Sequence, residues 1–460
     1  MAKFFILQPM LYIDGKARVF LRDWTGADFP ASMAIPPLDQ MTAAALLRER
    51  GHEVRILDTN VTHEPPQKVI DEVAREAPDF VGLASGWEAL DGDLALLGEI
   101  KKRRPEVTTV IGGPPVTVHP ELALADSAVD YAAIGEIDDP FARLADGDRS
   151  ANLAWREGDE IRTTPRELVK DLNALPFPAR DLVPSRRYRA PFLKRNPFTT
   201  MAMSRGCSRP LCTFCTTNIY HMHRIRLRSA ENVLAELEEI VHRHRIPQIL
   251  FRDDTFTASE KLVRGVCEGI LSRGLDVTWR CTTRHDLVNP DLLSLMARAG
   301  CHHISFGLET PNDDLLEING KGATIEGQAE AVRWSKEAGL EVTGLFMIGV
   351  EGDTPESASR VLPFATGMQL DYAEFNIATA TPGTEFYRRV APKIAVAEKY
   401  KNRWVYNTSI MPLRQLKQMR RRAYMGFYLR PSYVLRRLIN IREVGDFGLL
   451  AKTAARLLLS

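Results

Sequence analysis

The stretch "FTTMAMSRGCSRPLCTFCTT" (residues 198–217) joins an apolar, strand-like run to a loop with three closely spaced cysteines. These are Cys207, Cys212 and Cys215. A disulfide framework is not favoured, because this set is odd in number and the other three of the six cysteines are scattered through apolar stretches. Thiolates at this spacing can instead converge on one metal centre. The loop predicts either an iron–sulfur cluster short of one protein ligand or a zinc site completed by His221 or His223.

The composition is that of a soluble protein with several domains. The chain has 460 residues, 45% of them hydrophobic and 26% charged, which is enough apolar material for two or three cores. The first residues, "MAKFFILQPMLYIDG", contain an apolar run too short to span a bilayer and no cleavage site, so they predict a first strand. We expect a cytoplasmic protein without a nucleic-acid partner.

Residues 1–145 alternate short apolar runs with amphipathic segments. The predicted strands are "FFILQPM", "EVRILDTN", "DFVGLASG", "TTVIGG" and "DYAAIGE". Helical patterns such as "DQMTAAALLRERG", "PQKVIDEVAREA" and "DLALLGEIKKRRP" separate them. This order predicts an α/β domain with a doubly wound, Rossmann-like parallel sheet, whose ligands lie at the carboxyl ends of the strands.

A second alternating region follows a break in the pattern. Residues 146–195 predict a linker with a small hairpin, "NLAWREGDEIRTTPRE", and a stretch punctuated by prolines. Residues 196–390 then contain six strand patterns separated by helices: "FTTMAMS", "QILFRDD", "DVTWRCTT", "HHISFGLE", "EVTGLFMIGV" and "YAEFNIATA". They predict a partial (β/α)6 barrel with its site at the C-terminal rim, which is where the cysteines lie.

The cysteine loop and the segments after it resemble the radical S-adenosylmethionine (SAM) superfamily. The resemblance rests on "CSRPLCTFC" after the first barrel strand, followed by "FRDDTF", "WRCTTRHDLV", "SFGLET", "FMIGVEGDT" and "TATPGTEFY" in that order. It implies that the three cysteines hold a [4Fe-4S] cluster whose fourth iron binds the amino and carboxylate groups of SAM. One feature departs from the family, since four residues rather than three separate Cys207 from Cys212.

The resemblance also implies which side chains meet SAM. Phe214 would pack near the adenine, and Asp253 and Asp254 would meet the methionine ammonium group. Arg284 and Glu309 would lie near its carboxylate or its ribose. The structural alternative for each aspartate is a strand-end turn or a helix cap.

The N-terminal domain resembles the cobalamin-binding domain of cobalamin-dependent radical SAM enzymes. The matching segments are "PPLDQMTAAALLRERGHEVRILDTN", "APDFVGLAS", "TTVIGGPPVTVHPE" and "VDYAAIGE". The resemblance implies that Gly112 and Gly113 admit the nucleotide loop of the corrin, with Ser85 and Thr117 as hydroxyl partners. The Asp-x-His-x-x-Gly sequence that ligates cobalt is absent, because Thr59 and Asn60 follow Asp58. The alternative for the two glycines is a tight turn from strand to helix.

The family implies a metal-binding transferase. A deoxyadenosyl radical would remove hydrogen from an unactivated carbon, and methylcobalamin would supply a methyl group. We expect a methyltransferase that acts on a natural-product or lipid-like small molecule and takes electrons from a flavodoxin or ferredoxin. The alternatives are ring formation or oxidation, transfer of the aminocarboxypropyl group of SAM, and a cobalamin carrier or sensor without enzyme activity.

Residues 391–460 form a basic tail. They contain 15 Lys or Arg and 3 Asp or Glu, although the whole chain has a net charge of only +1. The tail predicts a helical region that caps the open side of the barrel and faces the acidic body of the protein. The alternative is contact with a membrane surface through a set of arginines: Arg420, Arg421, Arg422, Arg436 and Arg437.

Overall fold

The computed structural model describes residues 1–13, 16–20, 28–30, 34–190, 193–209, 211–393 and 411–439. The chain packs as two compact units. The first comprises Met1–Pro210 and Thr216–Arg280, and the second comprises Leu211–Cys215 and Cys281–Ser460. The division therefore falls within the predicted barrel region, and the first unit contains the N-terminal domain together with the first barrel strands.

The N-terminal domain is an α/β domain, as predicted. Its strands are β1 (Lys3–Gln8), β2 (Leu11–Ile13), β3 (Lys16–Phe20), β4 (Asp28–Pro30), β5 (Glu53–Asp58), β6 (Phe80–Ala84), β7 (Thr108–Gly112), β8 (Tyr131–Ala133), β9 (Leu153–Glu157) and β10 (Glu160–Thr163). Its helices are α1 (Leu38–Glu49), α2 (Thr59–Thr62), α3 (Pro66–Glu76), α4 (Leu90–Arg103), α5 (Pro114–Val118), α6 (Pro120–Leu124) and α7 (Asp138–Ala145). Seven strands form one sheet in the order β10-β9-β8-β7-β6-β1-β5.

The central strands read as continuous apolar runs because both faces of the sheet are covered. In β1, Phe4 and Ile6 belong to one buried cluster, whereas Phe5 and Leu7 belong to another. Side chains of a strand alternate between its two faces, so these two clusters are the cores on either side of the sheet. All five predicted strands are present, and they pair in parallel.

Two features of this domain were not predicted. The hairpin β9–β10 is more than part of a linker, because β9 pairs antiparallel with β8 and extends the sheet. Strands β2, β3 and β4 form a separate antiparallel sheet of three strands. The linker is also tied to the domain, since the buried Tyr188 hydroxyl donates a hydrogen bond to Asp58 Oδ2 at 2.7 Å.

The barrel region has the six predicted strands. Its elements are β11 (Phe198–Met201), β12 (Ser204–Arg205), α8 (Thr217–Tyr220), β13 (Arg226–Leu227), α9 (Ala230–Glu238), β14 (Gln248–Phe251), α10 (Glu260–Ser272), β15 (Thr278–Thr283), α11 (Pro290–Arg298), β16 (Cys301–Glu309), α12 (Asp313–Ile318), α13 (Ile325–Glu337), β17 (Glu341–Ile348), α14 (Pro355–Ser359), α15 (Val361–Gly367), β18 (Tyr372–Ile377) and α16 (Glu385–Val390). The sheet order is β11-β14-β15-β16-β17-β18, with parallel pairing inside each unit, which fits a partial barrel.

The described part of the C-terminal region forms two helices, Leu413–Tyr428 and Pro431–Ile439. The Tyr428 hydroxyl bonds to both the backbone N–H and the carbonyl of Ala373 in the edge strand β18. Covering an edge strand in this way satisfies backbone groups that would otherwise be open to another strand. The C-terminal region is therefore helical where it is described, as predicted, and its first helix lies against β18.

The arginines of the tail differ in exposure, and the structure describes the side chains of only some of them. Arg421 and Arg422 are exposed and Arg420 is half-buried. Arg436 and Arg437 lie outside the residues whose side chains the structure describes. Among the described residues, none of the helices is both long enough and apolar enough to cross a bilayer. Membrane contact through these arginines stays a prediction.

Candidate functional site

The first cysteine lies in a loop that the end of β14 holds in place. Gly206 adopts a φ of +94°, and a side chain there would collide with the carbonyl of Arg224. The Gly206 N–H donates to Asp254 Oδ2 at 3.0 Å, and the Cys207 sulfur lies 3.2 Å from the Thr255 hydroxyl. Consecutive residues after β14 thus fix the backbone and the side chain at this cysteine.

Asp253 holds the residues that lead into the same loop. Its buried carboxylate accepts hydrogen bonds from the Met203 N–H at 3.1 Å and the Ser204 hydroxyl at 2.5 Å. Burial raises the pKa of Asp253 to about 7, although these hydrogen bonds oppose the shift. Both predicted aspartates therefore bond to the segment around the first cysteine, and neither one caps a helix. Their contact with the SAM ammonium group stays a prediction.

The other two cysteines belong to the second unit. The Cys215 N–H donates to the Cys212 carbonyl at 3.2 Å, which closes a turn between them. Gly320 lies against this segment with a φ of +68°, and a side chain there would collide with the carbonyl of Leu211. Phe214 is half-buried and packs on the apolar cluster that includes Phe386.

A group of charged side chains lies beside Cys212. Arg284 Nη1 lies 4.0 Å from the Cys212 sulfur, while the same guanidinium forms bonds of 2.9 Å to Asp286 and 2.6 Å to the Lys321 carbonyl. Lys321 Nζ lies 2.7 Å from Glu309 Oε1. We call Arg284, Glu309 and Lys321 the charged group. The charged group contains Arg284 and Glu309, the two residues that the resemblance placed near the carboxylate or the ribose of SAM.

The neighbours of Lys321 keep this buried side chain charged. Burial by itself would lower the pKa of Lys321, but Glu309 and the Cys212 thiol outweigh it and raise that pKa above its usual value. Arg284 and Lys321 thus place two buried cations in the part of the second unit that holds the Cys212 sulfur. The sequence did not predict a role for Lys321, because nothing in the loop "NGKG" distinguishes a buried lysine from an exposed lysine.

His285 lies in the same part of the second unit. Burial, followed by the nearby Lys321 charge, lowers the pKa of His285 to about 4. The imidazole is therefore neutral near pH 7. Within the described residues its two ring nitrogens have no hydrogen-bond partner of good geometry.

The residues predicted to meet cobalamin have internal partners. Ser85 is fully buried, and its hydroxyl donates to Asp93 Oδ2 at 2.7 Å. A side chain at Gly112 would collide with Ile137, and one at Gly113 would collide with the Ser85 backbone. Thr117 donates to the Gly113 carbonyl at 2.9 Å. Each glycine is thus explained by close packing inside the domain, and contact with cobalamin stays a prediction for all four residues.

Other polar atoms at this edge of the sheet are still available to a ligand. The Asn60 Oδ1 atom, just after β5, and the Trp87 Nε1 atom, just after β6, are buried and have no hydrogen-bond partner among the described residues. A buried polar group without a partner costs free energy, so two such groups at the carboxyl ends of strands fit a polar ligand. The amide-rich rim of cobalamin is such a ligand.

The donor set at the cysteines fits a cluster. None of the six cysteines, all of which the structure describes, forms a disulfide bond, and three of them share one short loop. Across the part of the chain that the structure describes, no three His, Cys, Asp or Glu side chains are already arranged around a metal position. The zinc alternative needed a nearby histidine, but His223 is exposed, whereas His221 is buried and bonds to Glu136 at 2.7 Å. The His221 ring is therefore already engaged inside the first unit.

Comparison with known proteins agrees with both halves of this architecture. The family described as "B12 binding domain" matches residues 31–145, and the family described as "Radical SAM superfamily" matches residues 201–365. A methyltransferase of Pyrococcus horikoshii described as uncharacterized, PH0819, is 31% identical over 446 residues, which cover 92% of this chain and 93% of the relative.

Two further similarities bear on function and fold. The anaerobic magnesium-protoporphyrin IX monomethyl ester cyclase of Rubrivivax gelatinosus is 26% identical, over 79% of this chain and 68% of the relative. The solved structure of the cobalamin-dependent SAM radical enzyme OxsB, with aqua-cobalamin and SAM bound, superposes with a TM-score of 0.74 at 15% identity. That superposition covers 99% of this chain and 71% of OxsB, and it supports the fold.

The partial barrel with its cysteine loop defines a radical SAM enzyme. More particularly, the chain belongs to the family of radical SAM enzymes that carry a cobalamin-binding domain, and it is related to methyltransferases of that family. The predicted cofactors, a [4Fe-4S] cluster, SAM and cobalamin, are those of this family.

Proposed function

We propose that the protein transfers a methyl group to an unactivated carbon of a natural-product or lipid-like small molecule. The observation that carries this proposal is the 31% identity to the P. horikoshii methyltransferase over 92% of the chain, since it spans both cofactor domains. When bound, SAM at the cluster supplies the initiating radical and cobalamin supplies the methyl group. The structure contributes the side chains that hold and shield these groups.

The chain's own residues have definable tasks in this proposal. Arg284 and Lys321 offer cations to a carboxylate, and Glu309 offers a carboxylate to a hydroxyl group. These side chains are buried or nearly so, so their charges act in a medium of low dielectric constant and are strong there. Asp254 and Thr255 keep the Cys207 loop in one conformation, which is what a reaction that needs close alignment requires.

Product analysis tests the proposal. The reconstituted, reduced chain is incubated with SAM carrying a deuterated methyl group and a small-molecule and lipid extract. Methyl transfer predicts equal release of S-adenosylhomocysteine and deoxyadenosine, together with a product that has gained the deuterated methyl group. Deoxyadenosine with little S-adenosylhomocysteine would instead indicate ring formation or oxidation, the class to which the R. gelatinosus relative belongs. Methylthioadenosine would indicate aminocarboxypropyl transfer.

A second test separates an enzyme from a cobalamin carrier. Replacing Asp253 and Asp254 together by Asn removes both carboxylates beneath the cysteine loop. We expect this variant to retain cobalamin and to lose deoxyadenosine formation, because the loop and the SAM contact depend on these groups. Unchanged deoxyadenosine formation would contradict the role given to the two aspartates. An electron donor such as flavodoxin or ferredoxin belongs to the same proposal and is tested by replacing the chemical reductant.

A further inference from the structure

A chain of buried polar contacts in the first unit runs from the predicted cobalamin edge to the cysteine loop. It begins at Thr117, whose hydroxyl accepts a hydrogen bond from the Gly135 N–H at 2.9 Å. The next residue, Glu136, lies after β8, and its carboxylate meets His221 Nδ1 at 2.7 Å. His221 Nε2 lies 3.4 Å from Asp254 Oδ2. Asp254 in turn holds the Gly206 N–H, directly before Cys207.

Glu136 is held firmly at the centre of this chain. Arg205 Nη1 lies 2.7 Å from it, and Arg226 also bonds to it. Burial by itself would raise the pKa of Glu136, but Arg205, His221 and Arg226 outweigh it and keep that pKa well below its usual value. Three partners hold this charged carboxylate, so we expect a shift of the Glu136 backbone to move His221 with it.

His221 is the central link in this chain of contacts. It is 1% exposed, and it lies between a carboxylate from the N-terminal domain and a carboxylate from the end of β14. Arg226 Nη2 lies beside it, 3.2 Å from Nδ1. Gly206 cannot shift freely, because its positive φ and its approach to the Arg224 carbonyl leave little room. Buried or nearly buried side chains therefore make each contact of the path between Glu136 and the Gly206 N–H.

We propose that His221 is a positioning residue through which cobalamin binding and the geometry of the Cys207 loop depend on each other. Coupling of this kind is reciprocal, so a loaded cluster strengthens cobalamin binding by the same factor by which cobalamin stabilises the loaded loop. The proposal rests on the cofactors of the family and not on methyl transfer. It assigns His221 a task that neither the cluster nor the substrate reaction requires of it.

The test compares cobalamin affinity in two states of the full chain. Anaerobic absorbance titration with hydroxocobalamin is done on cluster-loaded and on cluster-free protein. For the wild type we expect about tenfold tighter binding to the loaded form, within the usual range of allosteric coupling. The variants are His221→Asn, whose amide takes the place of Nδ1, and His221→Gln, whose amide takes the place of Nε2. Each keeps one of the two contacts and so protects the fold.

Both variants are expected to bring the affinity ratio close to one with normal iron content. The spectrum of the reduced cluster by electron paramagnetic resonance should also change on cobalamin addition in the wild type and not in the variants. His244→Gln changes a half-buried histidine–glutamate contact in the same unit and should keep the wild-type ratio. A wild-type ratio of one, or a ratio that both variants preserve, would overturn the proposal. Neither readout uses a substrate, so failure of methyl transfer would leave the result intact.

Discussion

The strand ends of the N-terminal domain and the charged group beside Cys212 use their polar residues differently. Ser85 and Thr117 form hydrogen bonds inside the domain, whereas Asn60 and Trp87 each have a buried polar atom without a partner among the described residues. In the charged group, Lys321 pairs with Glu309, while Arg284 bonds to Asp286 and to the Lys321 carbonyl and lies 4.0 Å from the Cys212 sulfur. A polar residue at the end of a strand can therefore have a purely structural role. Burying charged side chains near a sulfur costs free energy, and a role in binding a ligand accounts for that cost.

The largest expected effect comes from removing the thiols themselves. Replacing Cys207, Cys212 and Cys215 together by Ala should abolish iron uptake and deoxyadenosine formation, because it removes all three thiols that are predicted to hold the cluster. Anaerobic reconstitution of the wild type should give about four irons per chain by iron assay. Cys267→Ala, at a buried position in α10, is the control and should keep its iron. Stoichiometric zinc without iron would contradict the enzyme assignment.

The charged group is expected to give the next largest effect. Lys321→Met leaves Glu309 buried without its partner and should lower the free energy of unfolding by about 3–5 kcal/mol. The double variant Lys321→Met with Glu309→Leu should recover most of that stability, because a buried ion pair replaced by apolar groups costs little. If the group binds SAM, the double variant still fails to bind it in equilibrium dialysis. Normal SAM binding by the stable double variant would reduce the group to a structural ion pair.

Asp253 should give a pH-dependent effect of a few kcal/mol. Its folded-state pKa of about 7 lies above the unfolded value, so the native state binds more protons between roughly pH 4 and 7. The contribution of this carboxyl group to stability is therefore present at low pH and lost as the pH rises to 7. Chemical denaturation of the wild type and of Asp253→Asn at several pH values isolates it. Parallel pH curves for the two proteins would refute the shift.

The smallest effects distinguish the two kinds of residue at the cobalamin edge. Ser85→Ala leaves Asp93 with one donor fewer and should cost about 1–3 kcal/mol of stability, with cobalamin affinity little changed. Trp87→Phe removes an indole N–H that has no partner among the described residues, so it should weaken cobalamin binding severalfold at nearly constant stability. Thermal unfolding and absorbance titration measure the two effects. The opposite assignment of effects would restore Ser85 as the ligand contact.

Much of the fold could be predicted because its signals are local. The apolar runs "FFILQPM" and "QILFRDD" are strands, since buried parallel strands leave little choice of residue type. The hairpin β9–β10 was visible as a hairpin, but its pairing with β8 was not, because an edge strand carries no sequence mark of its neighbour. The contact of Tyr428 with β18 could not be predicted either, because its sequence context is that of any aromatic residue in a basic helix.

The sequence by itself determined the order of the two domains, the loop with Cys207, Cys212 and Cys215, and two members of the charged group, Arg284 and Glu309. Only the tertiary structure decided that Lys321 lies against Glu309 and that His221 connects Glu136 to Asp254. The physical reason is the range of the signals. Apolar periodicity and cysteine spacing are local signals that span a few residues. A buried hydrogen bond, by contrast, joins positions as distant as 136 and 221, and neither residue alone indicates its partner.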